Sequence, residues 1–582
     1  MEFSRRQRNR LTSLIFTSWA SLLIPPGRFM AMVLIRSKSI CYLFDVWFRS
    51  VIIDIASKNK VSFLLFVISR SNTFACKYNI FIVMIETQMM ISSGNDAKPV
   101  AKPRERIHEV DKQEHWGTPE IFWQETFHKK KNEVTYTFNW DALLRFLESN
   151  GYHSLNEKGV DETRYVRISG QMVKEISRKD IKRFVRRWAN EHAPNEGIRN
   201  LILGSSKISF PSFLEQLSAP VLDFTNCTPN SQFFYFKNAA GRLVAVEVTA
   251  EGIKEHVELS DWPYYVWEKN IKTHRYTKLK GMFEITSSVD ESGRTIWDID
   301  VKDTSSPFFG LVINTSRLHW RKELEAQFET TIEREAYHAA HKFDIAGEGL
   351  TEKEVQEQKL NLINKIFTIG YMLHRYKDPS RAWAPLAMDH NIGRIGLNLD
   401  MTGKHFFFKA FSQLLSRRER SGKKRSFIDE LNVFDGVDEQ TDFVLITNCA
   451  KTLPLSRFHE YVTESWTINP KKKTSFTIPF EAAPKIAFIS NYIPAGIETS
   501  TYARLLPMVF SDYYHRRDAK NNYLETRVVT DDLGPLSCSE APPEADWNRN
   551  INFMMQCCRF YLKTIENSDR IFPTFDRRLY RK

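Results

Sequence analysis

Three short apolar runs in the C-terminal half constrain the fold more than any other feature. They are AWAPLAMD (382–389), Phe443-Val444-Leu445-Ile446 within TDFVLITNCAK (441–451), and PKIAFIS at the head of PKIAFISNYIP (484–494). Apolar runs of this length, bounded by polar residues, read as buried strands. Pro385 interrupts the first. Ahead of them, TEKEVQEQKLNLINKIFTIGYMLHRYKD (351–378) has Thr351 and Glu354 at capping-box spacing and closes at Asp378-Pro379, so it reads as one long helix. An α/β domain is expected from residue 379.

Between the first two strands lies NLDMTGKHFFFKAF (398–411). The pattern G-x-x-x-x-G-K-[ST] cradles phosphates: its glycines let backbone amides approach, its lysine neutralises charge, and its hydroxyl ligates magnesium. Gly403 and Lys404 fit, whereas Asn398 stands at the first glycine position and His405 at the hydroxyl position. A P-loop ATPase places acids just beyond the second strand to hold the metal and orient water. Here Thr447 and Asn448 stand there, and neutral side chains supply no charge. The third strand ends in Ser490-Asn491, the place for a polar sensor of the terminal phosphate, and Arg504 follows in ARLLPMVFSDYY.

ESWTINPKKKTSFTIPFE (464–481) sits between the second and third strands, two β-like runs flanking Asn469-Pro470 and the lysines 471 to 473. A hairpin tipped by Lys471, Lys472 and Lys473 suits phosphate contacts, which sequence-independent nucleic-acid binding requires.

The order of these elements resembles the superfamily 3 helicases, specifically the primase–helicases of phages and mobile elements related to the poxvirus type. RYKDPSRAWA, DFVLI, LPLSRF, NPKKKTSFTIPFE, PKIAF-x-SNY and ARLL-x-MVFSDYYH carry the resemblance, over about 360–565. It implies a RecA/AAA-like P-loop ATPase domain preceded by an α+β domain, working in DNA replication as a homo-oligomeric ring on single-stranded DNA, with ATP as cofactor. Carried across, Asn398, Gly403, Lys404 and His405 occupy the nucleotide positions, Asn491 is the sensor and Arg504 the arginine finger reaching a neighbour's nucleotide. Lys471, Lys472 and Lys473 form the DNA hairpin. Family members have Ser or Thr at 405 and acids at 447 and 448; the departures all fall around one magnesium ion, so Mg²⁺ is poorly anchored and hydrolysis impaired. His405 is a poor magnesium ligand. The alternative is a non-catalytic single-stranded-DNA-binding or ring-assembly subunit beside an intact paralogue.

The region 116–350 reads as α+β. FNWDALLRFLESNGY (138–152) is a helix stopping at Asn150-Gly151, and SRKDIKRFVRRWANE (177–191) an amphipathic helix with Ile181, Phe184, Val185 and Trp188 on one face. FFYFKN (233–238) and RLVAVEVTAEGI (242–253) form a hairpin across Ala-Ala-Gly, and IWDIDV (296–301) and FGLVINTS (309–316) are further strands. The acids and histidines here are scattered, and no paired-carboxylate polymerase motif supports primer synthesis. Residues 351–378 connect this region to the ATPase-like domain, 379–530; 531–582 reads as a helical segment, truncated relative to relatives.

Of the chain's net charge of +12, residues 1–90 supply +8 from 12 Lys/Arg against 4 Asp/Glu, so the basicity is mostly N-terminal. LTSLIFTSWASLLI (11–24) is closed by Pro25-Pro26 and falls short of the roughly 20 residues a spanning helix needs. VSFLLFVIS (61–69) and YNIFIVMI (78–85) lack helical or strand periodicity. Residues 1–91 are therefore expected to be a non-native or disordered segment, with the natural start near Met84, Met89 or Met90, and 92–115 a polar linker. The seven cysteines form no CxxC pair and no Cys/His ligand spacing. A cytoplasmic protein without stable membrane association or a bound metal is expected.

Overall fold

A computed structural model describes residues 65–69, 79–83, 121–130, 132–155, 163–390, 401–424, 426–491, 498–519, 521–534, 541–566 and 572–573. The chain divides into two compact units, Met1–Lys112 and Gln113–Lys582. In the first, β1 (Leu65–Ser69) and β2 (Asn79–Val83) pair antiparallel, from Leu65 opposite Val83 to Ser69 opposite Asn79. These are the cores of the two runs read as lacking strand periodicity. Both runs are apolar almost throughout, and such a run gives no alternation signal whichever element it forms.

The second unit opens with a hairpin, β3 (Trp123–His128) and β4 (Glu133–Phe138). Helix α1 (Trp140–Ser149) starts on Asn139, whose side chain accepts from the Ala142 amide at 3.2 Å, and gives way at Asn150-Gly151 as read from the sequence. β5 (Tyr152–Leu155), β6 (Arg164–Ser169) and β7 (Met172–Ile176) form an antiparallel sheet. Helix α2 (Arg178–His192) is capped reciprocally by Ser177 and Asp180 and buries Ile181, Phe184, Val185 and Trp188. The second sheet holds β8 (Cys227–Thr228), β9 (Ser231–Lys237), β10 (Leu243–Thr249) and β11 (Ile253–His256), with the expected hairpin between β9 and β10. β12 (Val266–Trp267) joins the first sheet beside β7, and β13 (Phe283–Val289) pairs with β14 (Thr295–Val301).

FGLVINTS is not a strand. Its first six residues lie in helix α3 (Pro307–Asn314), which begins on the Ser306 hydroxyl with Pro307 in its first turn. That Ser-Pro start is a helix signal, and burial of the whole helix removes the polar face by which periodicity would have shown it. Helix α4 (Glu352–Leu373) has the Thr351/Glu354 capping box, but ends at His374 rather than Asp378. There the chain straightens against β8 and β9: the His374 ring meets the Thr228 carbonyl at 2.9 Å and the Arg375 amide donates to Gln232 at 2.7 Å.

The C-terminal part is built on five parallel strands: β15 (Ala384–Asp389), β16 (Arg417–Ser421), β17 (Phe443–Cys449), β20 (Lys485–Ser490) and β21 (Leu505–Phe510). A small antiparallel hairpin, β18 (Trp466–Ile468) and β19 (Phe476–Ile478), lies between β17 and β20 in the chain. Across the sheet the order is β16-β17-β20-β15-β21. Alternate residues face two cores. Ala387, Leu445, Ala487, Ile489, Met508 and Phe510 meet α3, α4, helix α5 (Lys404–Ala410) and the long C-terminal helix (Glu544–Glu566). Leu386, Met388, Val444, Ile446, Phe488 and Val509 meet Phe434, Phe458 and the inner side of the hairpin, Trp466, Ile468 and Ile478. Burial on both faces is why β15, β17, β20 and β21 are nearly all apolar rather than alternating, whereas the edge strand β16 is charged and largely exposed. The first core also takes in Phe234, Phe236 and Val246, so positions 350, 378 and 530 all fall inside one compact unit.

No helix among the described residues is long and apolar enough to cross a membrane.

Candidate nucleotide site and lysine hairpin

The sheet order creates one special place. The segment leaving β15 contains α5, packed on the first face, and the chain next enters the sheet at β16, beyond β20 and β17. The segment leaving β20 runs the other way, past β15 to β21. It contains Thr501, whose hydroxyl meets His459 at 2.9 Å beside Phe458 on the second face. Connections that diverge to opposite faces open a crevice at the carboxyl ends of the strands between them, which is where open α/β sheets bind ligands. The strands at this switch point are β15, ending in Asp389, and β20, ending in Ser490 with Asn491 next.

Thr402 and Lys404 meet Asp389 there. Gly403 takes φ +89°, a left-handed turn that starts α5. Lys404 turns back to the sheet: its Nζ donates to Asp389 Oδ1 and, at 2.9 Å, to Thr402 Oγ1, while the Thr402 hydroxyl donates to the same Asp389 oxygen at 2.7 Å. The ion pair is buried, with side chains 4% and 1% exposed. Asp389 Oδ2 is buried and has no hydrogen-bond partner among the described residues. Burial pushes the Asp389 carboxyl above the ordinary range, opposed by Lys404 and Thr402 and reinforced by Asp512. Asp512, just beyond β21, is held by the Trp320 indole at 2.8 Å and the Tyr523 hydroxyl at 2.7 Å. His405 is exposed at the start of α5, and its surroundings lower its pKa below the ordinary histidine value, mainly by desolvation. Asn398 lies outside the described residues.

Thr447 and Asn448 are on the same edge but differ in kind. Thr447 is buried, with its hydroxyl 3.4 Å from the Arg420 carbonyl. Asn448 is exposed in the left-handed region at φ +53°, where the β17–β20 ladder shifts between Ile446 and Cys449. The pairing is irregular here, and asparagine is among the few residues that tolerate such a φ. Ser490 donates to the Cys449 carbonyl at 3.3 Å, and Asn491 is half-buried beside it.

Arg504 is not brought to this group. It precedes β21, at the amino edge of the sheet, where its carbonyl accepts from the Ala384 amide at 2.8 Å and its guanidinium donates to the Ser500 carbonyl at 2.9 Å. One strand length, about 17 Å, separates that edge from the carboxyl end. Within one chain Arg504 and Lys404 do not share a site.

The lysine hairpin forms as read. Lys471, Lys472 and Lys473 are exposed in the turn between β18 and β19, with Lys472 at φ +60°. The turn is tied down at one side: the Lys471 amide donates to Asp435 Oδ1 at 3.4 Å and Asn432 donates to the Asn469 carbonyl at 2.5 Å.

Magnesium does not fit the residues at 405, 447 and 448: an exposed imidazole, a buried hydroxyl already close to a carbonyl, and an amide. Asp389 and Thr402 were missed in the sequence. The signal was present in AWAPLAMD, an apolar strand that ends in an acid.

No family model matches the chain, and no curated protein does. Among solved structures, the chain is similar to the A form apo structure of the NrS-1 C-terminal region, with 13% identity and a TM-score of 0.22 over 55% of this chain and 64% of that one. The chain thus spans less than two thirds of that neighbour's length.

Proposed function

We propose that residues 379–530 form a nucleotide-binding module of the P-loop helicase type, in a primase–helicase-like protein that engages single-stranded DNA and hydrolyses ATP poorly. One observation carries this reading. The Gly403-Lys404 turn, Asp389, Asn448 and Ser490-Asn491 come from four separate stretches of sequence, yet they share the carboxyl edge of one parallel sheet, around its topological switch point. Chance Gly-Lys pairs have no reason to fall there.

In this reading Gly403 lets the backbone approach a phosphate and Lys404 neutralises it. ATP, when bound, supplies the transferable phosphoryl group. No carboxylate stands at 447 or 448 to orient water, and positioning and electrostatics are most of what such an enzyme contributes. The exposed lysine turn offers three cations to a nucleic-acid backbone without base contacts.

Arg504 favours a second element of the reading. An arginine at the opposite edge from its own Lys404 serves a nucleotide only on an adjoining copy or an intact paralogue, in keeping with a ring or a ring-assembly subunit.

The test is ADP binding together with DNA-stimulated ATP turnover. ADP binding that Lys404→Met abolishes supports the module. Turnover matching an intact helicase would overturn the impairment, and ADP binding unaffected by Lys404→Met would overturn the site.

A further inference from the structure

The lysine read as the phosphate ligand is already spoken for. Its ammonium is held by a carboxylate and a hydroxyl at the end of β15, in a place almost closed to water. A phosphate that recruits Lys404 must take it from Asp389, and Asp389 would then be left as a buried carboxylate without its counter-ion. One of its oxygens lacks a partner among the described residues, and Asp512 nearby adds negative charge. Breaking a buried pair by withdrawing one member is costly, because the remaining charge is uncompensated.

We propose that Asp389, braced by Thr402, is a built-in competitor for Lys404 that holds the nucleotide site in a self-blocked state and lowers its affinity for phosphates. The inference rests on reading Lys404 as a phosphate ligand. Apparent affinity falls in proportion to the fraction of molecules whose Lys404 is released. An anion of higher charge displaces the carboxylate more readily than one of lower charge, so pyrophosphate groups are favoured over a single phosphate. Asp389 acts through Lys404 and is a positioning residue, not a catalytic one.

The geometry narrows what a substitution should do. Asp389→Asn keeps the shape and an oxygen for the Thr402 hydroxyl but removes the charge that holds Lys404. Thr402→Ala keeps the charge pair and removes the hydroxyl that braces Asp389 and accepts from Lys404.

The experiment is calorimetric titration of the full chain with ADP, and separately with inorganic pyrophosphate, for wild type, Asp389→Asn, Thr402→Ala and Lys404→Met. The expected result is tighter binding by about tenfold in Asp389→Asn, a smaller gain of about two- to threefold in Thr402→Ala, and loss of binding in Lys404→Met. Binding that is Lys404-dependent but unchanged or weaker in both Asp389→Asn and Thr402→Ala overturns the self-block and leaves the nucleotide reading standing. If Asp389→Asn does not fold, Thr402→Ala decides alone. Binding indifferent to Lys404→Met, or absent from every variant, overturns both.

Discussion

Gly403 lies directly against Thr315: a Cβ at residue 403 would stand 3.1 Å from the threonine methyl, on a backbone already at φ +89°. Thr315 follows α3, so the turn that presents Lys404 is moulded against a helix from the preceding part of the chain. Gly403→Ala should lose about 1–2 kcal/mol from the left-handed backbone alone, and ADP affinity should drop with it. Urea unfolding and ADP titration of the one variant measure both; an unchanged midpoint would mean that the turn relaxes freely.

The two positions that lack acids should respond differently to having them restored. Asn448 is exposed and left-handed, a conformation that aspartate also tolerates, so Asn448→Asp should fold normally. Thr447 is buried, and Thr447→Asp would place a carboxylate there at a cost of roughly 3 kcal/mol. DNA-stimulated ATP turnover should therefore rise in His405→Ser/Asn448→Asp, and thermal unfolding should separate this variant from any that carries Thr447→Asp.

Single-stranded DNA binding should depend on the lysine turn through charge. Replacing Lys471, Lys472 and Lys473 with Ala should weaken binding to an oligo-dT and flatten the dependence of log affinity on log salt by about 2, at roughly 0.7 per cation. A slope that stays the same would place the DNA elsewhere.

Acid should unfold the second unit partly through His374. Its pKa is pushed down from the ordinary 6.5 to about 4, first by burial and then by Lys485, against its hydrogen bond to the Thr228 carbonyl. The unfolded chain therefore binds the proton more readily, so this contribution to stability is complete above pH 6.5 and is lost as the pH falls towards 4. It amounts to on the order of 3 kcal/mol. Urea midpoints at pH 7 and pH 4.5 should differ less in His374→Gln than in wild type.

The two long helices set a further limit. A Cβ on Gly370 of α4 would lie 2.2 Å from the Cys557 carbonyl of the C-terminal helix. Gly370→Ala should force the helices apart and cost about 1–3 kcal/mol, read as a lower melting temperature with ADP affinity little changed.

Much of this architecture was legible in advance because local signals and burial agreed. The Ser177/Asp180 and Thr351/Glu354 boxes fix helix starts by side-chain bonds to nearby amides. The β9–β10 hairpin and the lysine turn likewise follow from contacts short in sequence. FGLVINTS misled for the opposite reason: in a buried helix without a polar face, composition does not distinguish helix from strand. The early end of α4 at His374 was decided by β8 and β9, nearly 150 residues away in the chain.

The sequence by itself determined that the C-terminal half holds buried strands, a Gly-Lys turn and a lysine-tipped hairpin, because each depends on neighbours within a few residues. Only the tertiary structure decided what surrounds the lysine. Packing of α5 on the sheet brought Lys404 back onto Asp389 at the end of β15, the parallel direction of β21 left Arg504 at the far edge, and burial made the Asp389–Lys404 contact a closed ion pair. Those relations depend on how the helix packs on the sheet and on the direction of the strands beside β15, and no local pattern of residues encodes that.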